Sequence, residues 1–200
     1  MEDHPNGPSE VDPPPGGATS PSLVRIALVF YGVLFAVAVG WSLWSGDSIF
    51  YVSPEAEHRG AAPVRDAALG LAVAAALIYL SDELTRRTRW GEAMARVLAA
   101  MIGKRSVRDC IVLGVASGLA EEAFFRGALQ PQVGLVAASL IFGLAHFVPQ
   151  RDLLPWAGFA IGAGILLGSL FIATGNLVAP VVTHIGVNAV NLKRLGDRYG

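Results

Sequence analysis

Two hundred residues allow one domain with a tail, and the composition is 53% hydrophobic but only 16% charged, against roughly 25% charged in an ordinary soluble protein. That deficit, with a mean hydropathy of +0.51, points to a membrane protein in contact with the lipid bilayer. Net charge is −1 and Cys110 is the single cysteine, so no basic surface suggests nucleic acid, and an intramolecular disulfide or multi-thiolate zinc site is excluded.

Residues 1–22 hold six prolines, four acids and no Lys or Arg, the composition of a disordered tail. Without a basic leading segment, the next stretch does not read as a cleaved signal. Leu23 to Trp44 runs apolar for the roughly 20 residues a bilayer span needs, with Trp41 and Trp44 placed as interfacial anchors. A polar loop precedes a second, alanine-rich run, Val64 to Leu80. Residues 82–108 carry seven Lys/Arg, and Trp90, Met94, Val97, Leu98 and Met101 recur there at helical spacing. This predicts an amphipathic helix on the inner membrane surface, a solvated connector being the alternative.

Four more apolar runs follow, 109–129, 133–148, 155–174 and 176–192, broken at Pro131, at Pro149 to Asp152 and at Gly175-Asn176. The expected fold is an all-α polytopic membrane bundle of about six transmembrane helices plus an interfacial amphipathic helix. It divides into a tail (1–22), two spans with the basic helix (23–106) and a four-helix core (107–195). With 82–108 inside, only Arg59, Arg65 and Arg126 fall outside or are buried, so the positive-inside rule places both termini in the cytoplasm. The pairs Gly114/Gly118, Gly158/Gly162 and Gly164/Gly168 predict close helix contacts.

The third span keeps Glu121, Glu122 and Arg126 where lipid is expected, and intramembrane charges normally mark function. Glu122 and Arg126, four apart with the acid first, pair on one helical face. Glu121 points about 100° away, towards the face of Gly114, Gly118 and Phe125, and has no local partner. The fourth span supplies His146, with Phe142 one turn and Ser139 two turns before it. The sixth supplies His184, Asn188 and Asn191 as a polar stripe. Singly, each reads as hydrogen-bonding glue between helices. Together, at 1.5 Å per residue, Glu121, His146, His184 and Asn188 fall roughly 12–22 Å from one face of a ~30 Å core. Such a set suits hydrolysis of a peptide bond by water. A carboxylate serves as general base, a histidine orients water and relays a proton, and a second histidine with an amide stabilises an oxyanion. GxSxG and HExxH motifs are absent.

Glu121-Glu122-x-x-x-Arg126, Phe142-x-x-x-His146 and His184-x-x-x-Asn188, in that order, resemble the CAAX-protease and bacteriocin-processing (Abi, or CPBP) family of intramembrane proteases over about 107–195. The resemblance implies an intramembrane endopeptidase acting on a membrane-associated protein or peptide. It implies Glu121 as the base, His146 as its partner, His184 and Asn188 as oxyanion donors, and Glu122, Arg126 and Phe142 as structural support, without a metal. A zinc metalloprotease holding Zn2+ on Glu121, His146 and His184 is one alternative. Others are a non-catalytic immunity or partner-binding membrane protein and a proton-coupled transporter. The Ala/Gly/Arg-rich composition suggests a bacterial source, hence the inner membrane.

Overall fold

A chain in lipid must satisfy its backbone hydrogen bonds internally, so long apolar runs become helices. The computed structural model describes residues 23–200; the tail expected over 1–22, with His4, lies outside the described residues. The helices are α1 (Leu23–Ser45), α2 (Pro54–Arg59), α3 (Pro63–Arg87), α4 (Arg89–Ile102), α5 (Val107–Glu122), α6 (Gln130–Ala145), α7 (Leu154–Thr174) and α8 (Val178–Tyr199). Among the described residues there is no strand beyond one isolated bridge, Tyr51 to Asn176. The chain is an all-α, membrane-type bundle.

Four stretches are long and apolar enough to cross a membrane: Leu23–Ser45, Pro63–Arg87, Val107–Ala145 and Arg151–Thr174. The expectation of six spans differs at two places, each for a physical reason. First, α5 runs into a π-helical turn, Ala123–Leu129, and on into α6. The backbone breaks at Gly134 (φ 82, ψ 166) rather than at Pro131. Proline is tolerated in a helix's first turn, whereas a positive φ is open to glycine at little cost. Beyond Gly134 the helix folds back, bringing the Phe142 ring 4.9 Å from that of Phe125. From Leu135 to Ala145 it is roughly 17 Å long, about half of a ~30 Å core. Second, α8 carries His184, Asn188, Asn191, Lys193 and Arg194 and is too polar to count by composition.

Small residues set the helix contacts. A Cβ on Gly118 would lie 2.6 Å from Ile185 Cγ1, and one on Gly114 3.0 Å from Ala189 Cβ, so α5 and α8 touch backbone to backbone. Gly164 and Gly168 press α7 onto α6 at Ser139 and Leu135. Gly158 and Gly162 meet nothing within 4 Å; they line a cavity instead. Trp44 is 84% exposed, while Trp41 is half-buried. It stacks edge-on against Phe124 at 6.4 Å, beside the cluster of Ala38, Ala123 and Ala128 that fixes α1 to the π turn.

Helix α4 starts at Thr88, whose hydroxyl accepts from Gly91 N at 3.0 Å. It buries Gly91, Ala95 and Ala99 and turns Trp90, Met94 and Leu98 towards the cavity, as amphipathic spacing predicts.

Candidate active site

Helix α5 is capped by Ser106, whose hydroxyl accepts from Asp109 N at 3.1 Å, and it ends in the two glutamates. The wide π turn that follows is a form concentrated at functional sites. Here it carries Arg126 into the protein, 2% exposed, beside a fully buried Glu122. Arg126 Nη1 stands 3.1 Å from Glu122 Oε1, an ion pair whose angles fall short of a hydrogen bond. The guanidinium lies 4.5 Å over the Phe142 ring and donates to Gly164 O at 3.5 Å.

Glu122 does more than pair with Arg126. Its Oε1 is 2.6 Å from His184 Nδ1, so the same carboxylate anchors an imidazole of α8. A carboxylate can only accept, which places the proton on Nδ1. His146 is fixed in a parallel way. It follows the last residue of α6 and donates from Nδ1 to Phe142 O at 2.8 Å, with Trp156 edge-on at 5.4 Å. The Phe142 ring sits between both, 4.4 Å from the His146 ring and 6.2 Å from that of His184.

With each Nδ1 occupied, both Nε2 atoms turn to one place. His146 Nε2 is 3.8 Å from Glu121 Oε2, and His184 Nε2 is 3.9 Å from the same oxygen. That oxygen is buried and takes no hydrogen bond from the described residues. The separations are too long for direct hydrogen bonds. Each gap is wide enough for an oxygen atom about 2.8 Å from the carboxylate and from that imidazole.

Asn188 lines the same cavity, and its amide donates to Ser117 Oγ at 2.8 Å. Ser117 donates in turn to Gly114 O at 3.2 Å. Asn191 leaves the site and donates to Ser81 on α3 at 3.3 Å. Ser139 bonds Leu135 O within its own helix. The structure thus brings Glu121, His146 and His184 together around one point, with Glu122, Arg126 and Phe142 behind them. Two neighbours escaped the sequence reading, Ser117 and Tyr31. Ser117, one turn before Glu121, had a legible signal in that spacing. Tyr31, on α1, lines the same cavity and had none beyond a polar tip in an apolar span.

The cavity has a volume of about 940 Å3 and runs from these residues to the apolar face of α4. Short α6 stops beside Glu121, and the space beneath it is the cavity.

For zinc, tetrahedral ligands ~2.0–2.1 Å from the ion stand roughly 3.3 Å apart, closer than the 3.8 and 3.9 Å here. Among the described residues no three His, Cys, Asp or Glu groups are arranged to hold a metal. The two Nδ1 tethers, to a carboxylate and to a carbonyl, are nevertheless of the kind metal-bound histidines make.

Residues 104–190 match the sequence model of the family described as "Type II CAAX prenyl endopeptidase Rce1-like". The similarity covers α5 to α7 and the first part of α8. It takes in every residue of the constellation except Tyr31, and leaves α1, α3 and α4 outside. The uncharacterized protein YpbD of Bacillus subtilis (strain 168) is 41% identical over 92 residues, 45% of this chain and 47% of that protein. The chain spans about half the length of the curated relative it matches. No solved structure matches. The apolar helices and this similarity point to a membrane protein.

Proposed function

We propose that the protein is an intramembrane endopeptidase in which Glu121 activates water against a peptide bond. One observation carries this reading. Glu121 Oε2 faces two Nε2 atoms at 3.8 and 3.9 Å, each imidazole being locked through its far nitrogen. A water in that gap is polarised by Glu121 and oriented by His146. As its oxygen bonds to the scissile carbonyl carbon, its proton passes to Glu121. The carbonyl oxygen becomes an oxyanion. It takes hydrogen bonds from the second amide proton of Asn188 and from His184 Nε2–H, whose imidazolium form Glu122 stabilises. The C–N bond then breaks, and Glu121 returns its proton to the leaving amine.

Similarity to the family described as CAAX prenyl endopeptidases supports a protein or peptide substrate held at a membrane. A zinc reading stays open on the Nδ1 tethers alone. The metal would be held by Glu121, His146 and His184 and would polarise the same water.

The test compares membrane proteomes of cells carrying the native protein or Glu121→Gln at equal abundance. The expected result is an uncut precursor accumulating in the variant, with loss of one new N-terminus. Identical proteomes would instead favour a non-catalytic, partner-binding role. A synthetic peptide spanning that N-terminus then serves as substrate for the purified protein. Cleavage that persists in phenanthroline supports the metal-free route, while loss restored by Zn2+ supports the metal.

A further inference from the structure

We propose that Trp156 is a positioning residue for His146: its indole fixes the plane in which that imidazole presents Nε2 to Glu121. The inference rests on the function proposed above and adds how the less secured of its two histidines is held.

The two imidazoles are held unequally. His184 lies inside α8, and its Nδ1 is 2.6 Å from a fully buried carboxylate, a charge-assisted bond. His146 lies just past α6, with φ −97 and ψ 2. Its side chain is 21% exposed against 8% for His184, and its Nδ1 bonds only a neutral carbonyl, Phe142 O at 2.8 Å. The ring torsion of a histidine is broad, so this one bond leaves the plane of the ring loosely set.

Two aromatic rings meet that plane. Phe142, 4.4 Å away and tilted by 51°, belongs to α6 itself. Trp156 comes from the first turn of α7 and stands at 5.4 Å and 89°, the edge-to-face arrangement that aromatic pairs favour. Backbone contact sets its height. A Cβ on Gly143 would fall 3.1 Å from Ala157 O and 2.2 Å from Ile161 Cγ1. The last turn of α6 is therefore pressed onto the first turn of α7, three residues before His146 and one after Trp156. The helices can bring the indole there because position 143 has no side chain.

The ring plane matters because Nε2 must face Glu121 Oε2 across 3.8 Å. A half-turn about Cβ–Cγ would exchange Nε2 for Cε1 and Nδ1 for Cδ2, losing both the Phe142 bond and the donor facing the carboxylate. Once the Phe142 bond is lost, nothing holds the proton on Nδ1. Trp156 touches no reacting atom in this scheme and acts through His146.

The experiment uses the full chain, with 15N-labelled histidine, in lipid nanodiscs at a pH where the imidazole is neutral. The His146 signals are those missing from His146→Gln. The native protein should show the proton on Nδ1 alone. In Trp156→Leu a second His146 form, protonated on Nε2, should appear. With the peptide spanning the new N-terminus as substrate, kcat should fall about fivefold with KM within about twofold, the size of one aromatic pair. Trp156→Phe keeps an aromatic ring and should restore most of both readouts. If Trp156→Leu accumulates poorly, Trp156→Met keeps bulk without a ring and must show the same second form. A single native form with unchanged kcat in the ring-less variant overturns the proposal, and so does a fall in kcat with the proton still on Nδ1 alone. The second form appearing in a protein that cleaves nothing upholds the contact while sinking the protease reading.

Discussion

Glu122 shows how much one buried side chain carries. Its Oε1 serves both Arg126, at 3.1 Å, and His184, at 2.6 Å. A helical-wheel reading assigns it only the first. The pair i, i+4 is local and therefore visible in sequence, whereas the bond to α8 spans 62 residues and exists only after folding. Ser117 acts on Asn188 in a similar way. Its hydroxyl proton is taken by Gly114 O, which leaves lone pairs to accept the Asn188 amide. Ser117→Ala removes that acceptor with little change in volume. In peptide cleavage kinetics it should lower kcat about fivefold, the size of one neutral hydrogen bond. In an Asn188→Ala background Ser117→Ala should cost nothing further, because the interaction is already gone. Equal losses in both backgrounds would assign Ser117 a purely structural role.

At the scale of the element, the π turn and short α6 decide where chemistry sits. Ending at Ala145, α6 hands His146 to the site just past its last turn, with the ring nitrogen still tied to the Phe142 carbonyl. The π turn is held from outside by the loop after α1: a Cβ on Gly127 would fall 2.2 Å from the Ile49 carbonyl oxygen. Backbone cannot yield there as a flexible side chain can. Gly127→Ala should therefore lower stability by roughly 1–3 kcal/mol, read as earlier loss of the folded protein on heating in detergent. Gly158→Ala offers the contrast. Its Cβ meets nothing within 4 Å, and alanine gains up to about 1 kcal/mol of helix propensity, so the melting point should hold or rise. A glycine motif in sequence does not distinguish the two positions. Only the neighbour does.

Across the whole molecule, the α7–α8 turn is locked to α3. Asp66 and Asn176 are buried to 0% and 1% exposure. Asn176 Nδ2 donates to Asp66 Oδ2 at 2.8 Å and to Thr174 O at 3.0 Å, and its Oδ1 accepts from Val178 N at 2.9 Å. The segment after α1 joins the same point through Val52 N to Gly175 O and Leu177 N to Phe50 O. Three segments remote in sequence meet there. Asn176→Ala would leave Asp66 Oδ2 with only the Ala62 N–H, at 3.3 Å, in a dry site, a cost of about 1–3 kcal/mol. The expected observation is a lower melting point with cleavage unchanged below it. A melting point that does not move would show that the turn holds without this bond.

The sequence by itself determined the all-α class, the amphipathic α4 and the polar residues that converge, because apolar length, helical spacing and the scarcity of charge are local properties. It also determined the Glu122–Arg126 pair, which needs only one helix. Tertiary structure decided what depends on contacts between distant segments. The turn moved to Gly134, since only the folded backbone shows which residue takes the positive φ. Trp41 came to rest half-buried against the core, because Phe124 was there to meet it. Glu122 acquired His184 through helix packing that no spacing rule contains. Two adjacent glutamates look alike in a sequence; the partners that reach them from other helices make them different.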